Sequence, residues 1–132
     1  MLRIAVSIFV ILHGLVHLLY FGHSRRAFEL EKGMLWPEGA WLLSGFLKED
    51  TLRNLAAVML MLGAAIFTVS GIGLITKQLW WRAASIAALI LSSLIFIIFW
   101  DGAFTKMGRQ GLFALAINLG ILIFALALKQ NI

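Results

Sequence analysis

Apolar residues fall into four long blocks with short polar breaks: Ile4 to Gly22, Leu55 to Ile75, Ala83 to Trp100 and Leu112 to Leu128. None of the blocks contains Asp, Glu, Lys or Arg. Each is about 17 to 21 residues long, and at about 1.5 Å per residue a helix of that length matches a hydrocarbon core of about 30 Å. In lipid only helices and closed barrels satisfy the backbone, and none of these runs alternates as a barrel strand would. The pattern predicts an all-α fold: a single integral membrane domain over 1–132, built as a four-transmembrane-helix up-down bundle.

The block ends carry interfacial residues. Arg3, Arg25 and Arg26 bracket the first span, Arg53 and Lys77 the second, and Arg82 and Asp101 the third. Trp80 and Trp81 fall at one boundary, Tyr20 and Trp100 at the other, as aromatic belts require. The link from Lys77 to Arg82 and that from Asp101 to Gly111 are short, so spans two, three and four must alternate in direction. Both termini then share one side, and the remaining connections share the opposite, loop side.

The segment 23–52 is the one sizeable extramembrane stretch. Trp36-Pro37-Glu38 has the form of a helix start, with Pro in the first turn and an acid at the positive end of the dipole. Trp41, Leu42, Leu43, Phe46 and Leu47 follow. The run is too short to span, which predicts a short interfacial helix over Trp36 to Leu47, lying between spans one and two as a lid on the bundle. Asp50 or Thr51 is placed to cap the second span.

Composition narrows the chemistry. Of the 132 residues 62% are hydrophobic, more than a small soluble core can hide. Cysteine is absent, so disulfides, thiolate metal sites and dithiol redox chemistry are excluded. The formal charge is +5, yet the basic residues stand singly at the ends of apolar runs, so they read as headgroup anchors and not as a nucleic-acid surface. The first apolar run is too long for a typical signal peptide and lacks a small-x-small cleavage site.

Small or polar residues recur at seven-residue spacing in every span. The sets are Ser7 and Gly14; Ala56, Gly63 and Ser70; Ser85 and Ser92; and Gly111, Asn118 and Ala125. Such stripes let membrane helices approach closely. On the first span the stripe coincides with His13 and His17, two imidazoles four residues apart on one face. Counting from Ile4 puts His13 near mid-membrane, where ionisable groups usually face protein, and in a low dielectric both are expected to stay neutral near pH 7. Counting from the loop-side ends places His17 and Asn118 at similar depth, so they are expected to meet.

Two accounts of the histidines compete. In one they are interhelical hydrogen-bonding groups that bind Asn118, Ser92, Ser93 or a carbonyl, worth about 1 kcal/mol and requiring no ligand. In the other they form a ligand site. His13, His17, Tyr20, Trp41, Trp100, Asp101 and Asn118 are the candidate ligand-binding residues, all in the loop-side half. No catalytic and no metal-ligating set is assigned. A tetrahedral metal needs two further ligands, and His23, Asp101, Glu29, Glu31 and Glu38 show no spacing signature. Two histidines of one helix cannot hold a haem iron axially between them. A quinone or lipid headgroup fits better, because an apolar bundle with a few convergent donors is a common small-molecule site. No triad, phosphate-binding loop or dinucleotide fingerprint is present.

The run Ile8-Phe9-Val10-Ile11-Leu12-His13-Gly14-Leu15-Val16-His17 resembles the first helix of the DoxX-like group of small four-helix bacterial and archaeal membrane proteins, where an apolar run leads into a His-Gly pair. Gly71-Ile72-Gly73-Leu74, followed by an aromatic and basic link, is also similar to that group. The resemblance covers the first two spans loosely. A basic residue often stands in that group where this chain has His17, and the long Trp-containing loop departs from it. It implies a four-helix fold, a prokaryotic cell membrane and, in some relatives, a link to quinone or oxidative metabolism.

The leading expectation is a non-catalytic or accessory membrane protein that binds a hydrophobic small molecule, lipid or quinone, between helices near His17 and Asn118. The second is a histidine-based redox or metal-binding membrane enzyme component. The third is a structural subunit of a larger membrane complex or homo-oligomer. The expected partners are membrane lipids and a hydrophobic small molecule, with no nucleic acid. The loop side carries seven Lys and Arg against four on the terminal side. The positive-inside rule therefore places the loop side in the cytoplasm.

Overall fold

The computed structural model describes residues 1–29, 36–37, 39–100 and 112–127. Among them are four helices and no strands: α1 (Leu2–Ser24), α2 (Glu49–Ile75), α3 (Trp81–Ile98) and α4 (Leu112–Ala127). α1, α2 and α3 are each long and apolar enough to cross a membrane. α4 is apolar but shorter, at 16 residues. This agrees with a multi-pass membrane protein.

α2 begins six residues before its apolar block. Lys48 occupies the N-cap position without a side-chain capping bond, and Glu49 and Asp50 fill the first turn, where the helix dipole favours acids. The expected caps Asp50 and Thr51 thus lie inside the helix. The C-terminal ends of α1 and α2 close alike. Arg26 and Lys77 both take φ of 60°, and the next residue turns its amide back five positions, Ala27 N–H to the Gly22 carbonyl at 2.9 Å and Gln78 N–H to that of Gly73 at 2.8 Å. This is the Schellman closure, with a basic residue where glycine is usual.

Packing follows the seven-residue stripes. Ser7, Gly14, Ala56, Gly63, Ser70, Ser85, Ser92, Asn118 and Ala125 are all buried, while Gly111 lies outside the described residues. Ser7 lies beside Gly71, Gly14 beside Phe67, and Ser24 donates to the Arg53 carbonyl at 2.7 Å. Numbers therefore fall along α2 as they rise along α1. Ser70 and Ser85 share a hydrogen bond between α2 and α3. Trp81 and Ala125 share one cluster with Leu74. That buries Trp81 at 4% exposure, so of the expected interfacial pair only Trp80 lies outside the core.

The segment after α1 differs from its expected form. Residues 39–47 make successive turns and not a regular helix, with Ser44 N–H on the Ala40 carbonyl at 2.9 Å and Leu47 N–H on that of Leu43 at 3.0 Å. Gly39, at φ +78°, and Gly45 interrupt the run, and glycine is a poor helix former. The side chains still enter the bundle end. Trp36 and Ala40 are buried with Leu52, Ala56, Leu60, Phe96, Phe99 and Ala114, and Leu43 and Leu47 pack against them.

Candidate functional site

His13 and His17 project from one face of α1 into the bundle, where Gly63 of α2 leaves room for the His17 ring: a Cβ there would lie 3.3 Å from the imidazole. Phe67 packs on both rings, with centroids 4.9 Å from His13 and 5.2 Å from His17. His13, His17, Ser92 and Asn118 are all at most 4% exposed.

These four side chains close a ring of hydrogen bonds. His13 Nε2 lies 2.6 Å from Asn118 Oδ1, and Asn118 Nδ2 donates to Ser92 Oγ at 2.9 Å. Ser92 Oγ lies 2.7 Å from His17 Nε2, and His17 Nδ1 lies 2.9 Å from the His13 carbonyl. The carbonyl only accepts, so His17 carries its proton on Nδ1 and its Nε2 accepts from Ser92 O–H. Asn118 Oδ1 only accepts, so His13 carries its proton on Nε2. The reversed Asn118 amide fails for neutral rings, because Ser92 would then owe its single proton to both Asn118 and His17. Every bond in the ring points the same way, an arrangement in which hydrogen bonds polarise one another.

Asn118 also donates to Ser93 Oγ at 3.2 Å. Those two residues form the polar edge of a groove of about 330 Å³ along the α3–α4 seam, lined otherwise by Ile86, Leu89, Ile90, Leu94, Leu115, Leu119 and Leu122. A second cavity, about 230 Å³, lies between α1, α3 and α4 toward the terminal side. Its one hydroxyl, Ser85, is already bonded to Ser70.

The structure brings together His13, His17 and Asn118, with partners set one turn from expectation: Asn118 meets His13, and His17 meets Ser92. Tyr20 stands next in line, edge-on to Phe96 at 5.0 Å and to Trp36 at 5.3 Å, and Phe96 lies 5.8 Å from His17. Trp41 and Trp100 stand apart. Their rings meet at 5.6 Å, Trp41 is half exposed, and its indole N–H bonds the Ile97 carbonyl at 2.7 Å. Asp101 lies outside the described residues. Ser92 and Ser93 join the site beyond the candidate ligand-binding residues, and Trp36, not Trp41, packs on Tyr20 and Phe96 beside it. The heptad stripe pointed to Ser92, but no local signal separates Trp36 from Trp41.

Among the described residues no three His, Asp or Glu side chains converge as metal ligands. Three of the four imidazole nitrogens are engaged in the ring. No model of a known protein family matches the chain, and no curated protein and no solved structure is similar to it.

Proposed function

We propose that the protein is a non-catalytic, four-span membrane protein with an up-down arrangement that binds an apolar molecule bearing a carbonyl group, a quinone or a lipid ester, in the groove between α3 and α4. The observation that supports this is the polar edge of Asn118 and Ser93 on an otherwise apolar groove. An apolar wall with a few placed polar groups is the usual form of a small-molecule site. Ser93 accepts from Asn118, so its own proton is available to a carbonyl oxygen in the groove. The hydrogen-bond ring stands behind the groove and fixes the Asn118 amide. The resemblance of the first two spans to the DoxX-like group implies a quinone link in some relatives and agrees with this reading.

A redox or metal role for His13 and His17 gains no comparable support: of their four ring nitrogens only His13 Nδ1 lies outside the ring of bonds, and among the described residues no further ligand set converges on it. The test is retention of an added short-tailed quinone by the detergent-solubilised protein, measured by native mass spectrometry. Ser93→Ala leaves the ring intact and should weaken retention several-fold, for loss of one hydrogen bond of about 1 kcal/mol. Ile90→Trp should block the groove outright. Unchanged retention in both variants would refute the site.

A further inference from the structure

The seam between α1 and α2 carries a different feature at its loop-side end. A groove of about 510 Å³ is lined by Phe21 and Arg25 from α1 and its cap and by Asn54, Ala57, Val58, Met61 and Leu62 from α2. The α2 residues recur at helical spacing, so they form one continuous apolar stripe below Asn54. From Asn54 to Leu62 the stripe descends about 12 Å, at about 1.5 Å per residue. Ala57 is buried and small and makes the floor, while Val58 and Leu62 stay more than half exposed on the flank.

At the head of the stripe stands Arg25, a cation that pairs with no acid among the described residues. It donates to the neutral Asn54 Oδ1. Asp50, one turn before Asn54 in α2, is paired with Arg53. The guanidinium has five N–H groups in a planar fork and spends one here, and the Asn54 amide adds donors beside it. Arg25 lies just beyond the last residue of α1, at headgroup level if α1 spans the membrane.

We infer that this groove seats an anionic phospholipid, with the phosphate on Arg25 and Asn54 and one acyl chain along Ala57, Val58, Met61 and Leu62. The inference rests on the membrane-spanning part of the proposal above and not on the α3–α4 ligand. A guanidinium and phosphate oxygens form paired, charge-assisted hydrogen bonds, and the apolar stripe begins where an acyl chain would leave the headgroup.

The full-length protein in mild detergent, titrated with phosphatidylglycerol and with phosphatidylcholine and read by native mass spectrometry, tests this. The first phosphatidylglycerol should bind at least several-fold more tightly than phosphatidylcholine. Arg25→Gln should abolish that preference, about a fivefold loss for one interfacial cation. Val58→Trp, at an exposed position that cannot disturb the core, should lower the affinity for both lipids by filling the chain groove. Lys48→Gln, which removes a cation of the same end outside the groove, should change nothing. Equal binding of the two lipids, an Arg25→Gln variant that keeps the preference, an inert Val58→Trp variant, or an equal effect of Lys48→Gln would each overturn the seat. Recovery of the chain outside the membrane fraction would instead overturn the spanning reading on which it rests.

Discussion

The hydrogen-bond ring makes specific demands on two residues. Nitrogen-labelled histidine spectra should show both rings neutral at pH 7, with His13 protonated at Nε2 and His17 at Nδ1, since only that pair satisfies every member. Asn118→Leu would strand the His13 N–H and reduce stability by about 1 to 3 kcal/mol, measured by unfolding in detergent. Ser93→Ala, outside the ring, should cost less than about 0.5 kcal/mol. The glycines divide as sharply. A Cβ at Gly14 would meet Phe67 Cβ at 2.7 Å and the Ala64 carbonyl at 3.2 Å, and one of those is backbone. Gly14→Ala must push α1 off α2, at about 1 to 3 kcal/mol. At Gly120 nothing lies within 4 Å, so Gly120→Ala should be neutral or stabilising by up to about 1 kcal/mol through helix propensity. Thermal melts of the two variants side by side give the comparison.

Among the elements, the segment from Trp36 to Leu47 departs furthest from its expected form. Its apolar residues need cover, as the pattern requires, but Trp36 and not Trp41 fills the bundle end. Trp36 is 2% exposed and stacks on Phe96 at 6.0 Å. Trp41 lies outside and fastens the segment to the end of α3. Trp36→Ala should therefore cost about 3 to 5 kcal/mol, in the range of large-to-small changes of a buried ring. Trp41→Ala loses one hydrogen bond and partial packing, and should cost about 1 to 2 kcal/mol. Chemical denaturation of both variants, read by helical circular dichroism, decides the order; a larger loss at Trp41 would contradict the packing described.

At the scale of the molecule, the helix contacts pair Ser24 with Arg53, Gly14 with Phe67, Ser70 with Ser85 and Ser92 with Asn118. If all four helices cross, as proposed, this register would put both termini and the link at Lys77 on one side. Single cysteines placed at Arg3, Lys77 and Lys129 should all react with an impermeant thiol reagent from the same face of sealed vesicles. Reaction of the Lys77 and Lys129 positions from opposite faces would show that α4 does not cross. The absence of native cysteine makes the readout clean.

The helices and the faces they bury were legible in the sequence, because both depend on properties with a short period: runs of apolar residues set length, and a seven-residue recurrence of small residues sets the contact stripe. His13, Ser92 and Asn118 stood on those stripes, so their burial was legible too. Their partners were not. Depth along a helix can be counted only to about a turn, and one turn is the difference between Asn118 meeting His17 and meeting His13. The choice of Trp36 over Trp41 and the pairing of Arg25 with Asn54 likewise rest on how a connection folds over its neighbours. Those contacts join residues distant in the chain, and only the assembled bundle decides them.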